Sequence, residues 1–371
     1  MFHAQRPTPR VLFVLLWRKA PAYGMGTWGA SQLAGDDPIT TEPLSHGLSN
    51  SAGFVVAMLN EAGIDARLVH VKSDNDIWKE IEAYRPTHVV LEAFWCRPKK
   101  LDDLRPLFPD VQFIVRGHSS TPFLAHDTYG FKWALEYLGK PGAVVAPNDQ
   151  RHVAELRLLA RKLFGAAADA RVPWLPNYYP ERHALPPPAE DDGLHVDVGC
   201  FGAARPFKNM VGQALAAMLF AERVGRRLRF HINGDRIECG GGPTVKNLEW
   251  IFEANPYAEL VRHDWMPHAE FLDLVASMDL VAQVSFAETF CIVAADAVSQ
   301  GVPLVTSAEV AWSTPASRAD PTDPASMADA MHRAWLGRHA NRRFDPSLHG
   351  LKRFCAIARE TWLEFLQRPA A

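Results

Sequence analysis

Residues 284–307 read VSFAETFCIVAADAVSQGVPLVTS: a strand, a loop with Ser285 and Glu288, an apolar helix carrying Asp296, and a second strand after Gly301-Val302-Pro303. The two acids stand eight positions apart, about two turns at 3.6 residues per turn, so both can face one side of one helix. Glu288 falls in the loop at the helix start, where free backbone N–H groups and the helix dipole favour anions, phosphates above all. The segment thus offers a diphosphate cradle and two acceptors for hydroxyl groups. That is the equipment to hold a nucleotide-sugar.

The same rhythm of strands and helices extends through the chain. Residues 10–17 (RVLFVLLW) form a continuous apolar run of strand length, the mark of a strand covered on both faces in a parallel sheet. Further runs at 66–72, 87–94, 111–116 and 142–146 alternate with helical stretches at 50–63, 74–84 and 150–164. A proline-rich stretch at 173–188 reads as a linker. Beyond it come strands at 195–201, 228–233, 259–263 and 279–285, with helices at 208–224, 244–255 and 268–277. This pattern predicts an α/β fold of two doubly wound, Rossmann-like domains facing a cleft, with ligands at the C-terminal ends of the strands. Domains are expected over 1–180 and 181–349, followed by an amphipathic C-terminal helix within 350–371.

A chain of 371 residues is too long for one comfortable core and fits two domains. Apolar residues at 48% and charged residues at 22% describe a soluble globular protein. With 39 basic and 42 acidic side chains, a formal net charge of −3 gives no strong global attraction to nucleic acid or anionic membranes. The basic stretches 223–229 and 338–343 read as solvated faces. The five cysteines, Cys96, Cys200, Cys239, Cys291 and Cys355, are dispersed without a Cys-x-x-Cys pair, so reduced structural thiols and a cytoplasmic location are expected. The apolar stretch at 11–17 is too short to span a bilayer, and no signal-peptide cleavage pattern precedes it.

The segment with Glu288 and Asp296 resembles the signature of retaining glycosyltransferases of the GT-B fold, family four type, in which a Glu, seven residues and a second Glu precede a Gly-x-Pro strand. Here the second acid is Asp296, one methylene shorter. The resemblance implies that Glu288 lies by the hydroxyls of the transferred sugar and that Asp296 binds the nucleotide ribose, with Ser285, Thr289 and Phe290 on the donor side. It also implies that the C-terminal helix packs back on the first domain. The loop Gly202-Ala-Ala-Arg205-Pro-Phe-Lys208-Asn209 runs from a strand into a helix. There Arg205 as a fork and Lys208 as a point charge can grip a diphosphate and hold the charge that builds on it as the glycosidic bond breaks. Gly234, in the segment HINGDR at 231–236, takes the place where the family has a glycine close to the base. Asn233 and Asp235 suit either a turn or a ribose contact. Trp265, in His263-Asp264-Trp265-Met266-Pro267, is the candidate to stack on the base or to belong to the core.

In the first domain, strand 111–116 ends in Arg116-Gly117-His118-Ser119-Ser120. The resemblance makes His118 the candidate to hydrogen-bond the donor sugar near the acceptor, with Arg116 supporting phosphate or Glu288. Residues 18–47, which include the literal Gly-x-Gly-x-x-Gly of Gly24, Gly26 and Gly29, are read as an acceptor-side lid because no helix follows the glycines directly. Trp28, Asn50, Arg116 and Ser119 form the acceptor-side set. Asp74-Asn75-Asp76 spells a metal-nucleotide motif but sits at a helix start, where capping explains it. No metal and no cofactor are expected, only a nucleoside diphosphate sugar, UDP- or GDP-linked, as co-substrate. The expected reaction is hexose transfer to a hydroxyl acceptor with retention. A glycan and a hydroxymethylated nucleic-acid base both remain open as acceptors, the latter through Trp28, Trp95, Arg97, Lys99 and Lys100. A catalytically silent nucleotide-sugar-binding protein and, on the glycine-rich segment alone, a nicotinamide-dependent oxidoreductase are the competing classes.

Overall fold

The apolar run at the N-terminus becomes β1 (Arg10–Leu16), with Val11 through Leu15 buried. Alternation explains why the run is unbroken. Leu12 and Val14 join Val89, Leu91, Phe113, Val115 and Val145 in one core cluster, while Val11 and Phe13 join Val90, Ile114, Val144 and Ala146 in another. Successive side chains point to opposite faces of a strand, and here both faces are covered by helices.

A computed structural model describes residues 8–17, 47–126, 128–181, 185–186, 191–234, 236–338 and 346–368. Residues 18–46, with the glycine-rich segment and Trp28, lie outside the described residues, as do Asp235 and most of the basic stretch at 338–343. The described chain divides into two units, one of residues 8–17, 47–180 and 355–368, the other of residues 181–354.

In the first unit β1 is joined by β2 (Asp65–Val71), β3 (His88–Glu92), β4 (Gln112–Gly117) and β5 (Val144–Pro147) in the order β2-β1-β3-β4-β5, all parallel. Parallel neighbours need crossovers. These are α1 (Gly47–Glu61), α2 (Ile77–Tyr84), α3 (Lys99–Leu107), α4 (Thr121–His126), α5 (Thr128–Gly139) and, after β5, α6 (Gln150–Phe164). From β1 the chain first goes to β2 and then crosses to β3 on the other side, which puts the topological switch point between β1 and β3.

The second unit repeats the scheme with a different order. Strands β6 (His195–Gly199), β7 (Arg227–Asn233), β8 (Ala258–His263), β9 (Leu280–Gln283) and β10 (Leu304–Thr306) run parallel as β10-β9-β6-β7-β8. Helices α7 (Met210–Val224), α8 (Gly242–Glu253), α9 (His268–Ala276), α10 (Ile292–Ser299) and α11 (Pro324–Arg338) connect and flank them. Its switch point lies between β6 and β9, the strands that lead into the loops of Lys208 and Glu288. Crevices at such points, outside the strand C-termini, are where open α/β sheets bind ligands.

The final helix, α12 (Pro346–Gln367), belongs to the second unit up to Phe354 and to the first from Cys355. Within the first unit its Trp362 is fully buried against Phe13, ring centroids 5.6 Å apart, and donates its indole N–H to the Pro176 carbonyl at 2.9 Å. No helix among the described residues is long and apolar enough to cross a membrane. All five cysteines are free thiols, and all but Cys239 are buried.

Two local expectations are corrected. Helix α10 begins only at Ile292, after Cys291 at φ 59°, so Glu288 lies outside the helix and shares no helical face with Asp296. Helix α7 begins at Met210; Arg205 and Lys208 precede it, Lys208 closing a 3-10 turn (Pro206–Lys208).

Candidate functional site at the second switch point

The loops leaving β6 and β9 are sewn together by side chains that the local sequence supplies. Asn209 adopts a left-handed conformation, φ 54°, which an Asn tolerates better than most side chains. Its amide nitrogen donates to the Val284 carbonyl at 3.1 Å and to the Pro321 carbonyl at 2.8 Å. One turn into α7, Gln213 donates to the Lys208 carbonyl at 2.7 Å and accepts from the Val284 N–H at 2.8 Å. The Phe286 N–H donates to the Phe207 carbonyl at 2.9 Å. Lys208 and Glu288, eighty residues apart in sequence, are therefore held at one place.

Their side chains meet there. Lys208 Nζ lies 2.7 Å from Glu288 Oε2 and 3.3 Å from Gln283 Oε1, with Cys291 Sγ at 4.0 Å. The two are only 15% and 17% exposed. Burial favours neutral forms, yet the pair reverses that penalty. Lys208 is held above its ordinary range because Cys291 and Glu288 outweigh desolvation, and Glu288 is held below the carboxylate range, against its own burial, by Lys208 and by the Thr289 N–H at 3.1 Å. Burial pushes the Cys291 thiol up to about 12, so its charge acts on Lys208 only at high pH; at neutral pH it is a neutral, weakly polar group and Glu288 is the anion facing the ammonium.

Beside this pair is a second one. Arg205 contacts Glu238 at 2.5 Å and keeps a third of its side chain, 33%, exposed. Glu238 also accepts from Arg236 at 2.6 Å. Burial works against its charge, but Arg205 and Arg236 bring it down to about 2. Arg236 in turn covers the Trp265 ring at 4.5 Å. Segment 236–241 is pressed onto the β6–α7 loop: Ala204 donates to the Arg236 carbonyl at 2.8 Å and Glu238 donates to the Ala204 carbonyl at 3.0 Å. A Cβ on Gly241 would stand 2.0 Å from the Ala204 oxygen, so only glycine fits.

The expected donor-side residues divide into those that line this place and those that build it. Gly202, at φ +108°, donates its N–H to Asn233 Oδ1 at 2.9 Å, and a Cβ added to it would stand 3.7 Å from the Lys208 stem. Asn233 is thereby used as a strut, which corrects the suggested ribose contact. Gly234 makes room for Arg262, whose Nε would be 2.4 Å from an added Cβ. Thr289 is half-buried, and Trp265 is half-buried beneath Arg236 rather than in the core. Ser285 and Phe290 are corrected: the serine is wholly buried, and the phenylalanine packs on Trp312 and Phe354 at 6.0 and 5.4 Å. Asp296 is 2% exposed, and its Oδ1 meets His268 Nε2 at 2.8 Å. Its carboxylate does not reach solvent directly; His268, 21% exposed at the start of α9, stands in front of it.

In the first unit, His118 follows β4 and contacts Glu92 through Nε2. Arg116 has no exposed surface and spends its guanidinium on Glu92 at 3.0 Å, on the Leu175 and Pro176 carbonyls at 3.0 and 2.8 Å, and on Asn177 at 2.5 Å. It is a strut of this unit, which corrects its placement among ligand-facing residues. Asn50 and Ser119 are half-buried, Asn50 within the first turn of α1 and Ser119 just beyond β4. Trp28 lies outside the described residues. Arg97 forks onto Asp74 at 2.7 and 2.9 Å, Lys100 holds Asn75 at 2.8 Å, and Trp95 packs on the core. Arg97 and Lys100 are thus paired within the unit, while Lys99 is exposed. Asp76 pairs with Lys79 at 3.1 Å, and among the described residues no group of three His, Cys, Asp or Glu side chains could hold a metal ion.

Three of these partners, Gln283, His268 and Glu238, were not anticipated from the sequence. Gln283 is a polar residue closing an apolar strand, and His268 directly follows the quoted 263–267 segment, so both were within reach. Glu238 comes from an irregular stretch that has no periodicity to read.

No family model matches the sequence, and no curated protein matches it. Solved structures do match the fold. The N-terminal domain of Candida albicans trehalose-6-phosphate phosphatase superposes with a TM-score of 0.65 at 9% identity, covering 97% of both chains. A UDP-forming α,α-trehalose-phosphate synthase from Burkholderia vietnamiensis gives 0.63 at 12% identity over 100% of this chain and 99% of that one. Sucrose-phosphate synthase from Thermosynechococcus elongatus gives 0.57 at 16% identity over 79% and 76%. With two parallel five-stranded sheets, each flanked by helices, the chain has the GT-B fold of glycosyltransferases.

Proposed function

We propose that the chain is a glycosyltransferase that moves a hexose from a UDP- or GDP-sugar to a hydroxyl acceptor with retention of configuration. One observation carries the reading: two partly buried ion pairs, Lys208 with Glu288 and Arg205 with Glu238, stand together at the switch point between β6 and β9. Structures of the same fold support it, one named for forming UDP and another for making sucrose phosphate. We assign the donor to the second unit and the acceptor to the first, with His118, Asn50 and Ser119 on the acceptor side.

In this reading Arg205, the most exposed of the four charges, takes the diphosphate together with Lys208. Fixed cations in a water-poor site stabilise the charge that grows on the β-phosphate as the bond from the sugar C1 to phosphate oxygen lengthens. Glu288 keeps Lys208 aimed and accepts from sugar hydroxyls. The acceptor oxygen attacks C1 on the face the diphosphate leaves, a new C1–O bond replaces the old one, and the acceptor's proton passes to the departing phosphate oxygen. His268, backed by Asp296, is the group placed to meet the nucleotide where the acid alone is too deep. A panel of UDP- and GDP-sugars assayed for released nucleoside diphosphate tests this. One donor should turn over, and Arg205→Ala should lower that rate by about 100-fold, the scale of losing one preorganised charge partner; no release from any donor would reject the reading.

A further inference from the structure

Away from the cations of the proposed donor site, three titratable side chains make a line of contacts across the second sheet. Asp197 on β6, His231 on β7 and His263 at the end of β8 each stand two register positions further toward the strand C-termini than the one before. By the alternation of strands they share the face opposite Val196, Val198 and Phe230. Asp197 Oδ1 meets His231 Nε2 at 2.8 Å, and His231 Nδ1 meets His263 Nε2 at 2.9 Å. The two rings lie within 11° of parallel with centroids 5.2 Å apart, so they touch edge to edge through those nitrogens. Arg229 forks onto Asp197 at 2.7 and 2.6 Å. Burial works against the charge of this acid, but His231 and Arg229 hold it below the ordinary carboxylate range.

A contact of this length between two ring nitrogens holds one hydrogen, since two lone pairs or two N–H groups repel. The ionised Asp197 takes the Nε2–H of His231, so in the uncharged pair His231 Nδ1 accepts from His263 Nε2–H. One added proton leaves the tie intact: His231 then donates from both nitrogens, and His263 turns to the Nδ1–H tautomer. A second cannot, because N–H would face N–H. The charges facing the pair are Asp197 from β6, with Arg229 from β7 behind it, and Asp264 just after β8. Phe201, just past β6, faces His263 at 6.2 Å and is backed by Phe271 of α9 at 5.3 Å.

We propose that Asp197, His231 and His263 form a proton-sensitive latch, which ties the end of β8, and with it the loop of Trp265, to β7 and lets go in acid. Burial and His231 outweigh Asp264 and keep the tied His263 below the ordinary imidazole value. A released ring regains that value, about 6.5. As pH falls below it, the released ring takes up the proton that the tied ring resists, so acid drives release. His263 leads through Asp264 into Trp265, which lies under the same Arg236 that pairs with Glu238. Only an effect on nucleotide binding rests on the proposed function. The latch does not.

Nitrogen-resolved NMR of the histidine rings in the full chain follows the proton, because a coupling across the shared hydrogen identifies the two rings in the wild type. At alkaline pH both should be Nε2–H tautomers. On acidification His263 should change to Nδ1–H in the same step in which His231 becomes charged. A pair without the coupling, or a His263 that gains a charge before His231 changes, overturns the proposal. Hydrogen exchange, corrected for its intrinsic pH dependence, reads the release: acid should speed exchange at residues 261–266 of the wild type by about 10-fold, the factor that goes with one unit of pKa. In His263→Gln, which cannot take the charge, that response should vanish. No acid response in the wild type, or the full response in the variant, also overturns the latch, and the wild-type measurements decide even where the variant fails to fold. Where UDP or GDP binds, its affinity should fall over the same pH range; should neither bind at any pH, the proposed function fails while the latch result stands.

Discussion

Among the described residues, five non-glycine residues adopt positive φ: Arg85, Ala93, Asn209, Cys239 and Cys291. Four of them adjoin or closely follow charges discussed above: Ala93 after Glu92, Asn209 after Lys208, Cys239 after Glu238, and Cys291 three residues past Glu288. Strain of this kind collects where side chains must be aimed and is sustained by the surrounding contacts. Ala93 is the cleanest place to measure it, since its replacement by glycine removes one methyl group. Relief of a left-handed alanine, worth about 1–2 kcal/mol, exceeds the entropy a glycine adds to the unfolded chain, about 0.5–1 kcal/mol. Ala93→Gly should raise the urea midpoint of the first unit by the equivalent of about 0.5–1 kcal/mol. A lowered midpoint would show that the backbone there is not strained.

At the scale of elements, the site depends on loops clamped against loops, and the tightest clamp is Gly241 on the Ala204 carbonyl. Gly241→Ala cannot be absorbed by rotating a side chain, because the opposing atom is backbone. It should destabilise the second unit by about 1–3 kcal/mol, the usual cost of overpacking, and weaken nucleotide binding through displaced Glu238 and Arg205; thermal melts and calorimetry read the two effects, and an unchanged melting temperature would contradict the packing described. Legibility in the sequence follows the same division. Strands were readable because burial on both faces writes continuous apolar runs, as in β1 and β3. The cations and acids of the site were readable because they follow strand ends. What could not be read is which charge meets which: Glu238 comes from an aperiodic loop, Asp296 turns inward onto His268, and Arg116 looks like a ligand-facing cation until the opposing Glu92 is seen.

For the molecule as a whole, both units are built on parallel five-stranded sheets, and at each switch point an acid, fully buried in the first unit and partly buried in the second, is neutralised by a cation from the neighbouring strand or its loop. The first pairs Glu92 with Arg116 and adds an imidazole; the second pairs Glu288 with Lys208 and adds Arg205. A histidine-bearing end suits hydroxyl recognition, and a doubly cationic end suits a diphosphate. The central claim is that the second end binds a nucleoside diphosphate through those cations. Isothermal titration calorimetry of the full chain with UDP and with GDP measures it directly. The account predicts saturable binding of one of them by the wild type and a loss of about 10- to 100-fold in affinity in Arg205→Ala, in line with about 1.5–3 kcal/mol for a hydrogen bond to a charged group. Equal affinity in Arg205→Ala and wild type, or no binding of either nucleotide, would contradict it.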